Sequence, residues 1–390
     1  MSTVILSAKR TAVGSFQGGL STLTAAQLGS IAIKSALESA KLPADQVDEV
    51  IMGNVLTAGV GQAPARQASI HSGIPSSAKC MTINKVCGSG LKAVMLADDA
   101  IKLGHAEVVV GGGQENMTLA PHLLEKSRSG YRMGPTQIHD SMIKDGLWDP
   151  YSDFHMGNAA EICVKEHNYT REAQDEFAVQ SYKWAQEAVE SNVFANEIAP
   201  VEIKTRKATS TVEKDEDPFK TNFEKVPSLR PAFDKEGSIT AANASNINDG
   251  AAALVIASEE KAKNLGLQPM CKIVAQATFA QDPTWFTTAP VGAIKLALEK
   301  ANMNADQIDL WEINEAFAVV TMKAMDEFKI PREKVNVHGG AIAIGHPIGA
   351  SGARILTTLV HALKKHNKKY GLATLCIGGG EAVALIIENL

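Results

Sequence analysis

The stretch Asn84-Lys-Val-Cys87-Gly-Ser-Gly90-Leu91 sets a cysteine directly before Gly-Ser-Gly and an alanine- and leucine-rich run, Leu91–Leu103. The helical spacing of that run puts the cysteine on a tight turn ahead of a helix N-terminus. Free N–H groups and the helix dipole there favour a thiolate, so the position is expected to lower the thiol pKa. The same N–H groups suit an oxyanion, and the glycines let a substrate approach the backbone. Two other readings fit these residues. An unpaired cysteine is often simply buried. Gly88-x-Gly90-x-x-Ala93 also matches the loose dinucleotide-binding pattern, but Asn84-Lys85 is a poor strand end and no suitably spaced acidic residue follows.

Three further motifs lie far downstream. Asn314-Glu-Ala-Phe317 follows an apolar run, Leu310–Ile313. His338-Gly-Gly-Ala-Ile-Ala-Ile-Gly-His346-Pro-Ile-Gly-Ala-Ser-Gly352 is a glycine-rich turn ahead of a helix, Ala353–Lys364. Cys376-Ile-Gly-Gly-Gly380 closes an apolar run. A thiol, an imidazole and backbone amides are the parts of nucleophilic acyl transfer, and a second thiol supplies an acid or base. A lone histidine or cysteine is more often structural; three in glycine-rich turns favour chemistry.

The elements that must position these residues are legible as strands alternating with helices, which implies a layered α/β fold. Val4–Ser7 reads as a strand, and Thr22 or Thr24 caps a helix from about Ala25 to Lys41. Glu49–Met52 reads as a strand, Ala63–Ser72 as a helix, and Glu107–Val110 as a short strand closing on Gly111-Gly-Gly113. The second half then repeats the first. Ile33–Ala40 and Ala44–Asp48 recur at an offset of 261 as Ile294–Ala301 and Ala305–Asp309. Ser89-Gly90 recurs as Ser351-Gly352, and Val110–Gly113 as Ile377–Gly380. This predicts two copies of one α/β unit packed as a pseudo-dimer, with His346 in the place of Asn84. Two such turns meeting at a pseudo-twofold axis would bring Cys87 and His346 together.

Between the halves lies an insertion, 118–248, richer in charge and proline, with one clear helix from a cap at Thr170 to about Asn192. Ala251–Ala257 is expected to return to the first half. The division is therefore 1–117 plus 249–267, the insertion 118–248, and 268–390.

The 390 residues carry a net charge of −5, which argues against a general nucleic-acid surface. No apolar run approaches a membrane span of about 20 residues, and the first ten residues read as a strand rather than a signal peptide. The five cysteines are scattered, with neither zinc-ligand spacing nor a disulfide framework, which suits a reducing cytoplasm.

These motifs, which are highly specific together, closely resemble the thiolase family over essentially the whole chain. The resemblance implies a thiolase-like fold, two repeated α/β core halves in a five-layer arrangement, with a large inserted loop domain for coenzyme A binding and assembly. It implies that Cys87 takes the acyl group and that His346 activates it. His346, with a water held by Asn314, would form one oxyanion hole, and the amides of Cys87 and Gly378 the other. Cys376 would move the α-proton of a second acetyl unit. His155 and Met156 resemble the pair at the acyl end of the pocket in the short-chain biosynthetic members. Leu147, Phe233, Ala241 to Ser245, Ala316 and Phe317 match positions that contact substrate, and Lys220 is the candidate for the phosphates. The run Ala241-Ala-Asn-Ala-Ser245 differs from the Ala-Gly-Asn-Ala-Ser of some members.

The activity implied is reversible condensation of two acetyl-CoA to acetoacetyl-CoA and CoA through an acetyl-cysteine, within fatty acid metabolism. A broad-range degradative 3-ketoacyl-CoA thiolase and a catalytically dead scaffold are the alternatives; the presence of all four motif residues disfavours the second. No metal and no resident cofactor is expected, since coenzyme A belongs to substrate and product. The family forms dimers and tetramers, and the long insertion resembles those of tetrameric members, so a homotetramer, a dimer of dimers, is expected.

Overall fold

The computed structural model describes residues 2–204, 206 and 208–390. Met1, at the head of the expected first strand, lies outside the described residues, as do Thr205 and Lys207 in the polar stretch 204–225.

In the first half, β1 (Thr3–Thr11) leads to α1 (Ala25–Ala40), whose N-terminus is closed by a capping box between Thr24 and Gln27. Then come β2 (Glu49–Gly53), α2 (Pro64–His71), β3 (Lys79–Ile83), α3 (Ser89–Lys102) and β4 (Val108–Asn116). The insertion carries α4 (Met156–His167) and α5 (Arg171–Glu190), and β5 (Asn248–Ser258) pairs antiparallel with both β1 and β4. The second half runs β6 (Cys271–Ala280), α6 (Ala289–Ala301), β7 (Leu310–Ile313), α7 (Ala318–Phe328), α8 (Ser351–Lys365), β8 (Tyr370–Ile377) and β9 (Glu381–Asn389).

Each half builds its own mixed sheet, in the orders β3-β2-β4-β5-β1 and β7-β8-β9-β6. The second copy lacks a full counterpart of β3; in its place Val335 makes a single parallel bridge to Trp311. The two sheets are stitched edge to edge where Val4 and Ile5 of β1 pair with Lys272 and Cys271 of β6.

Three helical layers enclose these two sheets. Apolar side chains of α1 and α2 pack on the outer face of the first sheet, and those of α6 on the outer face of the second. Between the sheets lie α3 and α8, whose Leu91, Val94, Ile101, Ile355, Leu356 and Leu359 share one core with strands of both halves. Each such side chain withdrawn from water contributes about 1.5–3 kcal/mol. Burial on all sides explains why α8 keeps even Thr357, Thr358 and Arg354 from solvent.

Two expectations change. The strand expected to close on Gly111–Gly113 runs through those glycines to Asn116, because their missing side chains admit Val94, Ala252 and Gly349 close to the sheet. The insertion holds a second long helix, α4, beside the one expected from Thr170. No helix among the described residues is long and apolar enough to cross a membrane.

Candidate active site

The turn that carries Cys87 is built by its neighbours. Val86 sits at φ 45°, a left-handed conformation that costs a β-branched residue on the order of 1–3 kcal/mol. Hydrogen bonds hold it there. Asn84 Oδ1 accepts the Val86 N–H at 2.9 Å, Ser89 Oγ donates to the Val86 carbonyl at 2.7 Å, and the same Oγ accepts the Lys85 N–H at 2.8 Å. Cys87 then stands just ahead of α3, half-buried, as the spacing predicts.

Across the molecule, His346 occupies the corresponding place before α8 and is 5% exposed. Its backbone N–H donates to Asn248 Oδ1 at 2.9 Å. Its Nδ1 lies 2.6 Å from Ser351 Oγ, which itself donates to the Pro347 carbonyl at 3.0 Å. With the hydroxyl proton directed to that carbonyl, Nδ1 carries the ring proton and donates to Ser351. Nε2 is left as an acceptor, and it has no partner among the described residues.

Cys87, His346, Cys376 and Gly378 line one cavity of about 200 Å³. Leu147, His155, Met156, Phe233, Ser245, Ala316 and Phe317 line it as well. His155 is placed by a role the sequence did not suggest. Its Nδ1 accepts the Gly157 N–H at 3.0 Å and caps α4, while its ring stacks on Phe233 at 4.7 Å. The insertion thus supplies one wall, and Met156 comes with the same helix start.

Phe233 and Ser245 also line an outer chamber with Ala241 and Lys220. Lys220 donates to Ser15 Oγ and pairs with Asp217 at 3.2 Å. It stands at the outer chamber as expected, but its charge is already shared. Asn314 is not on the cavity surface. It lies just behind, at the end of β7 and two residues before Ala316, 1% exposed, and neither side-chain amide atom has a partner among the described residues.

The electrostatics reverse one expectation. Burial pushes the Cys87 thiol up to about 12, against the lowering effect of the backbone amides of Cys87 and Gly378, with the charge of Glu115 adding to the rise. The two amides of the expected oxyanion hole favour the thiolate, but they do not outweigh desolvation. Burial likewise lowers His346 to about 3, with Arg354 contributing, and raises Cys376 well above the usual thiol range, with the Cys87 charge contributing. The resting site therefore holds two neutral thiols and a neutral imidazole.

Sequence reasoning missed Glu115 and Asn248. Glu115 is fully buried against the His346–Gly349 turn and Asn248 holds the His346 backbone; Glu115 lies past the glycines expected to close its strand and Asn248 at the last position of the insertion, where the sequence carries no site signal.

Comparison with known proteins is consistent along the whole chain. Residues 3–260 match the thiolase N-terminal domain, and residues 267–389 the thiolase C-terminal domain. The acetyl-CoA acetyltransferase of Cupriavidus necator is 54% identical over 388 residues, covering 99% of each chain. That of Escherichia coli is 52% identical over 389 residues, with 99% of each covered. The crystal structure of the Bacillus anthracis acetyl-CoA acetyltransferase superposes with a TM-score of 0.98 at 41% identity, covering 100% of this chain and 99% of that one. The Acat5 thiolase of Ascaris suum, solved in complex with coenzyme A, superposes with a TM-score of 0.95 at 43% identity over 100% of both.

Proposed function

We propose, from the premise that the chain belongs to the thiolase family, that it is an acyltransferase condensing two acetyl-CoA into acetoacetyl-CoA and CoA, reversibly. The observation that carries this reading is the single cavity lined by Cys87, His346, Cys376 and Gly378, with an unpartnered imidazole nitrogen at its wall. Relatives at 50–54% identity bearing the name acetyl-CoA acetyltransferase support the same activity.

In the proposed route, Nε2 of His346 takes the Cys87 proton as the sulfur attacks the thioester carbonyl. The N–H groups of Cys87 and Gly378 receive the oxyanion. Coenzyme A leaves as its thiol, taking a proton from Cys376, and acetyl-Cys87 remains. The Cys376 thiolate then takes a proton from the methyl carbon of a second acetyl-CoA. Protonated His346, with a water on the Asn314 amide, receives the enolate oxygen. The carbon attacks the acetyl-Cys87 carbonyl, and Cys87 leaves as a thiol with the proton held by His346. Both cysteines and the histidine return to their neutral states.

His155, stacked on Phe233, and Met156, near Gly378, form the cavity wall to which we assign the choice of chain length. This favours short acyl groups over broad-range degradation. A cytoplasmic setting within fatty acid metabolism suits the free thiols, and a homotetramer suits the long insertion. Mixing the protein with acetyl-CoA and locating the adduct by mass spectrometry tests the reading: acetyl on Cys87 supports it, and its absence ends it. Specificity constants for acetoacetyl-CoA against longer 3-ketoacyl-CoA substrates then decide chain length.

A further inference from the structure

Glu115 is a carboxylate with no solvent exposure, at the end of β4. It lines neither chamber of the site. Its Oε1 accepts from Asn54 Nδ2 at 2.7 Å and from the Leu56 N–H at 3.2 Å. Its Oε2 accepts from the Val55 N–H and the Gly349 N–H, each at 2.9 Å. All four contacts are donors, which favour the ionised form, but burial outweighs them and raises the carboxyl to about 7, so Glu115 carries its charge above that pH. Three of the donors belong to the loop after β2, in the half that carries Cys87. The fourth belongs to the His346-Pro-Ile-Gly349 turn of the other half.

The seat for that turn is made to measure. A β-carbon on Gly113 would fall 2.1 Å from the Gly349 carbonyl oxygen, and one on Gly53 2.7 Å from it. A β-carbon on Gly349 would fall 2.5 Å from Glu115 Oε2. The turn thus lies directly on the first-half sheet, tied down by Glu115 at its Gly349 end and by Asn248 at the His346 N–H.

We propose that Glu115 is a positioning residue for acyl transfer, clamping the His346 turn of one repeat onto the Cys87-bearing repeat so that Nε2 meets the thiol. The inference rests on the assignment of Cys87 and His346 above, which acetyl-adduct mapping on the unmodified protein tests separately. From behind the cavity wall the Glu115 charge opposes the Cys87 thiolate, and a charge on Cys87 in turn opposes one on Cys376.

The test compares Glu115→Gln and Glu115→Asp in the full chain, by thiolysis kinetics with acetoacetyl-CoA and by the rate of iodoacetamide alkylation of Cys87 at one alkaline pH. Glutamine turns an NH₂ toward a backbone donor, and aspartate is one methylene too short to hold both loops. Each is expected to lower kcat by roughly 100-fold, the scale of a displacement near 1 Å, with KM changed less than about threefold. Glu115→Gln alone is expected to speed alkylation at that pH, because only it removes the charge that opposes the thiolate; a merely structural residue would not separate the two variants. Wild-type kcat in either folded variant, a change confined to KM, or an unaccelerated alkylation in folded Glu115→Gln overturns the proposal. Should Glu115→Gln fail to fold, Glu115→Asp decides by the same split between kcat and KM.

Discussion

Gly90 and Gly352, equivalent residues of the two repeats, meet backbone to backbone where α3 and α8 begin. A β-carbon on Gly90 would lie 2.7 Å from the Ala353 nitrogen, and one on Gly352 only 2.2 Å from the Leu91 nitrogen. Because each helix starts just after its functional turn, this approach is what brings Cys87 and His346 to one cavity.

Gly352→Ala is therefore expected to force the helix starts apart. Overpacking of this kind costs typically 1–3 kcal/mol, and more where backbone rather than side chain must move. The denaturation midpoint should fall, and acetylation of Cys87 should slow in whatever fraction remains folded. An unchanged midpoint with normal acetylation would show that the helices do not need this contact.

The repeat made this meeting legible in the sequence, since Ser89-Gly90 and Ser351-Gly352 align within it. The start of α1 was legible from Thr24, and that of α5 from Thr170. By contrast, α4 was not foreseen, although Ala159, Ala160, Cys163 and Val164 have helical spacing. Its cap is a histidine, outside the usual Ser, Thr, Asp and Asn. Glu115 was illegible for a different reason. Its donors lie 59–61 residues upstream and 234 downstream, so no local pattern marks it. The thiol pKa was misjudged because the helix start is visible in sequence, whereas the desolvation that outweighs it is a property of the assembled layers.

Ser351→Ala removes the acceptor that keeps the ring proton on Nδ1 of His346. The imidazole is then free to place its proton on Nε2, where it cannot take one from Cys87. The expected result is a fall in kcat of roughly 100-fold, the lower end of a general-base contribution. KM should barely change, because Ser351 does not line the cavity. Retention of wild-type kcat would remove the tautomer argument.

The pH dependence follows from the directions of the shifts. A thiol whose pKa is raised stays protonated as pH rises through its ordinary value near 8.5, and an imidazole whose pKa is lowered stays neutral as pH falls through about 6.5. With Cys87 at about 12 and His346 at about 3, neither titrates across the neutral range. The rate of Cys87 acetylation should therefore be level from about pH 7.5 to 9.5 rather than climbing through the ordinary thiol pKa. Stopped-flow acylation across that range checks it; a tenfold rise centred near 8.5 would mean that the free thiolate, not the neutral pair, is the attacking form.

The two thiols are separable by a single substitution. Cys376 is 1% exposed at the end of β8 and packs beside Phe317 and the small residues of α4. Acylation needs a nucleophile, a base to take its proton, and an oxyanion hole. Condensation also needs a proton removed from the methyl carbon of the second acetyl-CoA. Cys376→Ser is nearly isosteric, so the wall should survive, but a serine hydroxyl is far less acidic than a thiol and shuttles protons poorly. The variant should still take an acetyl group onto Cys87 from acetyl-CoA, more slowly to the extent that Cys376 protonates departing coenzyme A. It should then fail to pass the group to a second acetyl-CoA. Thiolysis should fail as well, since cleavage must return a proton to the same carbon. Trapping the acetyl-enzyme while measuring turnover in both directions resolves the cases. If Cys376 only fills space, the serine variant keeps most of its activity. If it is instead essential to the first half-reaction, acetylation disappears together with turnover. Only acetylation without condensation matches a thiol placed beside Cys87 to move the proton on carbon.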